Sequence, residues 1–251
     1  MKRITTAVGI IGLCLAPLGA GMAQDDDGGN IGRVYIVTVK DGQGKAFQDG
    51  VKAYFACYGE NGGKKSYDVW QSETGRLGRY AFTLDGHKWA DFDELEEASQ
   101  ACNDVFQERF LAHIDKATSE FTTYMEPQST IKDGEYDVVW VFNFVIKDNR
   151  KFMNGISKIT EAAKESDWGN YAWYNIQAGG RHAGDYFLVV AEENFAGFDE
   201  DNKPLWEMVA GVHGEEASES IRDDLMNAIA KDWSDIWRRR PDMGYSAGGS
   251  E

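Results

Sequence analysis

The stretch 138–146 reads VVWVFNFVI and is apolar at eight of its nine positions. A strand with one face in water alternates apolar and polar residues, whereas an uninterrupted apolar run is typical of a strand covered on both faces. Helices of the same unit can cover only one of those faces. The run therefore predicts that a second layer, the sheet of another unit, covers the other face.

A matching unit is visible upstream, because the sequence around this stretch is repeated. Three pairs of segments match: VYIVTVKDG (34–42) with VFNFVIKDN (141–149), GRLGRYAF (75–82) with GRHAGDYF (180–187), and DFDE (91–94) with GFDE (197–200). The matched segments occur in the same order in both halves. Since internal repeats decide an architecture, we predict two copies of one structural unit.

Each copy shows the same succession of patterns. A β-branched and aromatic run is followed by apolar residues at helical spacing, by two aromatic strands around a glycine-containing turn, by a second helical region and by a last strand. The order β-α-β-β-α-β is that of the ferredoxin-like motif. We predict an α+β fold of two tandem ferredoxin-like β-α-β-β-α-β repeats, packed sheet to sheet as an intrachain α/β barrel.

The ends of the chain set the remaining boundaries. Lys2 and Arg3 precede an apolar stretch and then small residues up to Ala23, which is the pattern of a secretory signal peptide. We therefore expect cleavage near Ala23 and a periplasmic or secreted protein. The predicted segments are a signal peptide (1–23), a flexible N-terminal segment (24–32), the first repeat (33–126), a linker (127–137), the second repeat (138–243) and a flexible tail (244–251).

The net charge and the sequence motifs limit the classes of partner and cofactor that the chain is expected to bind. The chain is acidic, with 26 basic and 42 acidic residues and a net charge of −16, which opposes binding to nucleic acid. After the N-terminal stretch, no apolar run approaches the roughly 18 residues of a membrane helix. The sequence has no HxH, HExxH or CxxC arrangement and no P-loop. We expect no membrane insertion, no metal site and no cofactor, and the oligomeric state stays open.

The predicted architecture resembles the dimeric α/β-barrel superfamily, which includes antibiotic-biosynthesis monooxygenases; here both ferredoxin-like units are in one chain. The resemblance is one of topology and covers nearly the whole chain after the signal peptide. It implies a pocket between a unit's sheet and its helices or loops. Members include cofactor-independent monooxygenases, isomerases, haem-degrading oxygenases and chlorite dismutase-like and dye-decolourising peroxidases. The resemblance therefore implies where a ligand lies rather than which reaction occurs.

Candidate ligand-binding residues lie on two strands of the second repeat. Asn143 is the only polar residue of its strand, and a buried amide needs hydrogen-bond partners. Tyr171, Trp173 and Asn175 fall on one face of the next strand by the period of two. Two aromatic rings followed by an amide suit a flat, partly polar ligand. A sheet face that grades from core to solvent gives the same pattern, and that alternative stays open.

Arg181 and His182 lie in the turn GGRHAG, where the first repeat has TGRLGR. Histidine is the side chain best matched to proton transfer near neutral pH, and the neighbouring arginine can hold an anion. His182 and Asn143 are therefore the candidate catalytic residues. The alternative is an exposed turn, because the arginine recurs as Arg76 in the other copy and glycines flank both turns.

The cysteines and one further histidine have two interpretations each. Cys57 and Cys102 lie in predicted helices of the first repeat, where a disulfide and two buried free thiols are both possible. His213 ends a predicted helix just before Gly214, a position at which a protonated histidine interacts favourably with the helix C-terminus. The family resemblance implies a different role for His213, as the axial ligand of a haem.

Whether the chain is an enzyme stays open at the level of sequence. The first hypothesis is an exported protein that binds a small aromatic or hydrophobic ligand, or a protein partner, in the barrel. One alternative is a cofactor-independent monooxygenase- or isomerase-like enzyme in which His182 or Asn143 positions an acidic aromatic substrate. A second alternative is a haem-binding enzyme that uses His213.

Overall fold

A computed structural model describes residues 29–93, 95–181, 183–199 and 203–248. The predicted signal peptide (1–23) and His182 lie outside the described residues. Within those ranges the chain forms eight strands. They are β1 (Ile31–Val39), β2 (Asp68–Ser72), β3 (Arg79–His87), β4 (Ile114–Tyr124), β5 (Val138–Ile146), β6 (Tyr171–Ala178), β7 (Tyr186–Glu192) and β8 (Ile229–Arg239).

Helices lie between these strands on the outside of the sheet. They are α1 (Gly44–Glu60), α2 (Glu97–Ala101), α3 (Asn103–Val105), α4 (Asn149–Glu165), α5 (Leu205–His213) and α6 (Glu215–Ala228). A single π-helical turn, Phe106–Phe110, continues α3. None of the helices in the described part of the chain is long and apolar enough to cross a membrane.

The eight strands close into one antiparallel barrel in the order β1-β3-β2-β8-β5-β7-β6-β4. Residues 31–124 contribute the order β4-β1-β3-β2, and residues 138–239 contribute β8-β5-β7-β6. Two seams join the halves through hydrogen-bonded edges, β2 with β8 and β4 with β6. The predicted α+β class is therefore confirmed, and the sheet is antiparallel throughout. Barrel closure also removes the unpaired edges that each half would expose alone.

Ion pairs reinforce the seam between β2 and β8. Arg238 pairs with Glu73 at 2.6 Å, and Arg239 pairs with Asp68 at 2.8 Å. These side chains are partly exposed, and exposed pairs contribute about 0–1 kcal/mol each. The pairs therefore favour the correct register of the seam more than they stabilise the whole fold.

Strand β5, the apolar run 138–146, is covered on both faces only along part of its length. Val139 packs in the barrel interior against Ala81 and Trp237, and Phe144 packs against the helices of its own half. Trp140, however, is 36% exposed. The prediction of full burial is wrong at this position, because there the ring packs against Phe142 and the 3₁₀ segment Phe195–Asp199 and no long helix covers it.

Each half has its own core between the sheet and the helices. In the first half, α1 buries one face, including Phe47, Val51 and Tyr58, which recur at the predicted helical spacing. In the second half, α4 buries Phe152 and Ile156 in the same way. A third cluster fills the barrel interior. The barrel is therefore a packed core with helices outside it.

Described residues of two segments that the sequence predicted to be flexible take part in regular structure. Ile31 and Gly32, placed in the N-terminal segment 24–32, are the first residues of β1. Tyr245, placed in the tail 244–251, exchanges backbone hydrogen bonds with Tyr67 at 2.7 and 2.9 Å. Its ring stacks on Phe55 with a centroid distance of 6.0 Å. The glycines and serine around Tyr245 predict flexibility, but the packing of its partly buried ring overrides that preference.

Candidate functional site

The first half contains a cavity of about 580 Å³ between the outer face of its sheet and its helices. Arg33, Tyr35 and Phe82 project into it from β1 and β3. Tyr54 and Phe55 of α1 face it. Most of the remaining lining comes from side chains within 92–93 and 95–111, such as Phe106 and Phe110, and Lys65, Tyr67, Ile114 and Ala117 also contribute. Apolar cavities of roughly 300–1,000 Å³ with a few convergent polar groups are typical of small-molecule sites.

Short helices explain why space remains here. The wall of the cavity consists of α2 with five residues, α3 with three and one π-helical turn with five. Such interrupted helices place fewer side chains against the sheet than a continuous helix does. Leu95 and Leu111 line the cavity and are exposed, so it opens to solvent on their side.

The corresponding space in the second half is filled by side chains. Trp173 of β6 packs against Phe144 at 5.4 Å and Phe152 at 5.6 Å between ring centroids. Met208 and Leu225, from the longer helices α5 and α6, complete this core. The two halves have the same strand order, but the first half holds the larger cavity.

Aromatic rings form most of the cavity's apolar surface. The Tyr54 ring lies 5.5 Å from Phe106 and 6.0 Å from Phe110, measured between centroids. Phe82 lies 5.3 Å from Phe110 and 6.4 Å from Phe55. Aromatic pairs at 4.5–7 Å are favourable arrangements, and their free faces and edges can contact a further ring. The lining therefore suits a flat, unsaturated molecule.

Arg33 is the main polar group on the sheet side of the cavity. Its guanidinium carbon lies 4.5 Å from the Tyr35 ring centroid and 4.6 Å from that of Phe121, so the charge rests between two rings. Its Nε is buried and has no hydrogen-bond partner within the described residues. A buried donor without a partner costs roughly 1–3 kcal/mol.

Glu96 and Lys65 add charge on the opposite wall. The Tyr58 hydroxyl donates a hydrogen bond to Glu96 and accepts one from the Lys65 backbone N–H at 3.1 Å. The Lys65 Nζ donates to the Asp91 carbonyl at 2.8 Å. Glu96 therefore already has a hydrogen-bond donor from the protein itself. Asp93 also lines the cavity, and it is exposed.

The tyrosines around the cavity remain neutral. Burial raises the pKa of the Tyr35, Tyr54 and Tyr67 hydroxyls above their ordinary value. Burial also raises the pKa of Tyr58, and the hydrogen bond to Glu96 adds to that effect. These groups therefore act as hydrogen-bond donors at neutral pH and not as phenolates.

The described residues that the sequence singled out for ligand binding do not line this cavity. Tyr171 and Trp173 share one face of β6 as predicted, but that face is the core of the second half, where the Tyr171 hydroxyl contacts Thr160 Oγ1 at 3.2 Å. Asn175 is partly exposed and donates to the Asp185 carbonyl at 3.2 Å. These three residues therefore fit the alternative interpretation, in which one face of the strand runs from the buried core towards solvent.

Asn143 and Arg181 are also separate from the cavity. Asn143 alternates with Phe144 along β5 and therefore lies on the barrel-interior face, opposite to the helices. It pairs with Phe187 on one side and Trp233 on the other. Arg181 is exposed in its turn. The catalytic role suggested for His182 falls on a residue outside the described ones and stays a prediction.

His213 does not fit the role of a haem ligand. Its Nε2 lies 3.0 Å from the Lys158 carbonyl, so that nitrogen is already engaged. It does not line the 580 Å³ cavity, whose described lining contains no histidine, cysteine or methionine. Within the described ranges there is also no group of three or more histidine, cysteine, aspartate or glutamate side chains that could hold a metal ion.

Cys57 and Cys102 form a disulfide with a Cα–Cα distance of 5.9 Å. The bridge joins α1 to the junction between α2 and α3. Ser99 and Asn103, on either side of that junction, both line the cavity. The disulfide therefore holds the interrupted wall against the long helix α1.

The C-terminal stretch GYSAG (244–248) matches the GxSxG pattern of hydrolase nucleophile elbows. That motif requires a strand, a sharp turn and a helix. Here it follows the 3₁₀ segment Pro241–Met243, and no helix follows it in the described residues. Its backbone instead caps the first half, where the Ala247 N–H donates to Ser66 Oγ at 2.9 Å. Within the described residues the stretch therefore lacks the strand–turn–helix context of a nucleophile elbow.

Arg33 is the residue that the sequence analysis missed. In the aligned repeats it occupies the position of Trp140, so a charged residue in one copy stands where the other has an aromatic ring. That asymmetry was a usable signal. It lies one residue before the matched segments, outside the compared stretches.

No family model and no curated protein sequence matches the chain. Solved structures do match. A monooxygenase-like protein from Lactobacillus acidophilus NCFM is 10% identical, with a TM-score of 0.54, over 87% of this chain and 96% of that one. An anthrone oxidase-like protein is 12% identical, with a TM-score of 0.55, over 87% and 94%. A chlorite dismutase from Candidatus Nitrospira defluvii in complex with imidazole is 11% identical, with a TM-score of 0.52, over 86% and 93%.

These similarities show a shared fold. Monooxygenase-like and chlorite dismutase-like proteins have the α/β-barrel architecture of the superfamily that the sequence resembles. At such low sequence identity the shared fold does not indicate which reaction the chain catalyses or which ligand it binds, because one fold supports many activities.

Proposed function

We propose that this protein binds a flat, largely apolar aromatic molecule in the cavity of its first half. The observation that carries the proposal is the cavity of about 580 Å³ with its lining of aromatic rings. Burial of apolar surface stabilises a complex by about 25 cal/mol per Å², less the entropy lost on binding. An aromatic molecule that contacts Tyr54, Phe82 and Phe106 would bury most of its faces.

The fold supports the position of this site. The family resemblance implies a pocket between a sheet and its helices, and the cavity lies there. One structural neighbour is named for anthrone, an aromatic ketone of the class that the cavity would suit. Binding is the function we propose, because the aromatic lining supports it directly, whereas Asn143, the described catalytic candidate, does not line the cavity.

We propose that the two halves are copies of one ferredoxin-like unit and that only the first copy binds the ligand. The matched segments of sequence and the same strand order in each half support a duplication. The first copy keeps its cavity, and the second copy fills the corresponding space with Trp173 and the longer helices.

The proposal includes export of the protein. The N-terminal pattern up to Ala23 supports cleavage by a signal peptidase. The disulfide between Cys57 and Cys102 is of the kind that persists in oxidising compartments. N-terminal sequencing of the mature protein tests this part and would find Gln24, or a residue close to it, as the first residue.

Filling the cavity should abolish binding. Ala117 lines the cavity from β4, so Ala117→Trp would occupy the space with an indole ring. We expect the wild-type protein to bind neutral 2-naphthamide saturably at one site by isothermal titration calorimetry. The Ala117→Trp variant should bind it at least about tenfold more weakly, a loss of roughly 1.4 kcal/mol.

The matched control is Ala56→Trp, which adds the same ring at an exposed position of α1 that does not line the cavity. It should bind 2-naphthamide as the wild type does. Equal binding by the Ala117→Trp variant, or no saturable binding of any aromatic compound by the wild type, would rule out this function.

A further inference from the structure

We infer that the ligand of the first-half cavity is an aromatic acid and that Arg33 binds its anionic group. The inference rests on the proposed function, because it specifies the chemistry of the molecule in the same cavity. It concerns one charged side chain that pairs with no carboxylate among the residues that the structure describes.

Arg33 lines the cavity from the sheet and is held between aromatic rings. It lies on the cavity face of β1, two residues before Tyr35 and four before Val37, both of which line the cavity. The rings of Tyr35 and Phe121 hold its guanidinium group at 4.5 and 4.6 Å. Trp89 and Phe92 pack on the Phe121 ring at 5.1 Å each and so support that platform.

Arg33 differs from the other partly buried arginines in that no carboxylate pairs with it in the described residues. Four arginines among the described residues are partly buried. Three of them pair with a carboxylate: Arg79 with Asp235, Arg239 with Asp68 and Arg240 with Asp242, at 2.7–2.8 Å. Arg33 is the exception within the described part of the chain, and its Nε is buried without a hydrogen-bond partner.

The absence of a counter-ion is informative because the chain is acidic. With 42 acidic residues, a partner for one more arginine would be easy to supply. The acidic side chains that line the cavity are Glu96, which accepts a hydrogen bond from Tyr58, and Asp93, which is exposed. An unpaired, partly desolvated cation beside an aromatic cavity is a site for an anion that enters with the ligand.

The geometry of the guanidinium group indicates which anion. Its planar fork presents parallel N–H donors that match the two oxygens of a carboxylate, and such charge-assisted pairs are roughly twice as strong as neutral hydrogen bonds. A carboxylate attached directly to an aromatic ring would pair with the guanidinium group of Arg33 while the ring contacts Tyr35 and Phe82. A neutral aromatic molecule would fill the same space and leave the charge of Arg33 without a counter-ion.

The test compares two ligands of nearly the same shape on the full mature chain. At pH 7, 2-naphthoate carries a carboxylate and 2-naphthamide is neutral. We expect calorimetry to show that the wild type binds 2-naphthoate at least about tenfold more tightly than 2-naphthamide. Arg33→Gln should remove that preference and leave the affinity for 2-naphthamide within about twofold. Arg109→Gln, which removes an exposed arginine of the same half, should keep the preference.

The outcomes separate the two proposals. If the wild type binds both compounds equally, or if Arg33→Gln keeps the preference for 2-naphthoate, the inference about Arg33 is wrong and the proposed function stands. If neither compound binds, both proposals are wrong. The wild-type comparison needs no variant, so equal binding of the two compounds overturns the inference even if Arg33→Gln does not fold.

Discussion

At the scale of single residues, the difference between the two halves lies in which side chains occupy matched positions. Arg33 in the first half corresponds to Trp140 in the second, and the aromatic rings around Arg33 leave its charge facing a cavity. The Trp140 ring packs on Phe142 and Phe198 and stays partly exposed, whereas Arg33 lines the cavity. The sequence showed the asymmetry, but it could not show that the space beside Arg33 is empty.

A second residue with an unusual environment is Asp85, on the interior face of β3. A Cβ atom at Gly32 would collide with the Asp85 carboxylate, so the glycine permits this close approach. Burial among protein atoms, with a further contribution from the negative charge of Asp68, raises the pKa of Asp85 from 3.8 to about 6. Asp85 is nevertheless solvent-exposed near the end of its strand, so water screens the carboxylate and reduces the effect of the shift on stability.

Asp85→Asn should therefore alter the pH dependence of stability. Because the pKa of Asp85 is higher in the folded chain than in the unfolded one, protonation favours the fold. That contribution is fully present below about pH 4 and is lost as the pH rises through about 6. The neutral variant should melt a few degrees higher than the wild type at pH 7–8, and the difference should disappear near pH 4.

Thermal unfolding followed by circular dichroism between pH 4 and 8 measures this difference. The relevant quantity is the melting temperature of the variant minus that of the wild type at each pH, since other carboxylates affect both proteins equally. A difference that does not change with pH would contradict the raised pKa of Asp85.

At the scale of elements, the wall of the cavity is the most irregular part of the first half. Apolar spacing predicted one helical region from Leu95 to Phe106, yet the chain forms two short helices and a π-helical turn, and Leu95 precedes them. Periodicity detects helical character but not such interruptions, because they depend on contacts with α1 and the sheet. The last strands of the halves, β4 and β8, are also longer than their apolar residues indicated.

Removing the disulfide should loosen this wall. The bridge from α1 to the junction of α2 and α3 closes a loop with a sequence separation of 45 residues. Loss of such a cross-link typically costs roughly 2–4 kcal/mol of unfolding free energy. The double variant Cys57→Ser, Cys102→Ser should unfold at a lower urea concentration, and it should bind 2-naphthamide more weakly because Ser99 and Asn103 are no longer held in place.

Urea denaturation and calorimetry on the same preparations separate the two effects. The wild-type protein treated with a phosphine reductant is the matched control and should behave as the double variant does. Reduced stability with unchanged affinity for 2-naphthamide would show that the cavity does not depend on the bridge.

At the scale of the whole molecule, the sequence was most informative. The repeated segments and the order of patterns predicted the α+β class and an antiparallel sheet, because repeats and periodicity reflect backbone geometry directly. The site was less predictable. Tyr171 and Trp173 have the spacing of ligand-facing residues, but a core has that spacing too, and only packing with Phe144 and Phe152 distinguishes the two.

The closed barrel also explains how one half can keep a cavity. The interior cluster and the seams between β2 and β8 and between β4 and β6 join both halves into one sheet. The filled core of the second half can then stabilise a barrel whose other half is less densely packed. In this interpretation the second half is a support and the first half is the binding unit.

A crystal structure of the protein soaked with 6-bromo-2-naphthoate tests this division of roles most directly, because the bromine atom locates the ligand by its anomalous scattering. We expect one bromine peak in the cavity between β1 and the segment 92–111, with the carboxylate beside Arg33 and the rings against Tyr35 and Phe82. A ligand bound in the second half against Trp173, or in the barrel interior beside Asn143, with the first-half cavity containing only water, would contradict it.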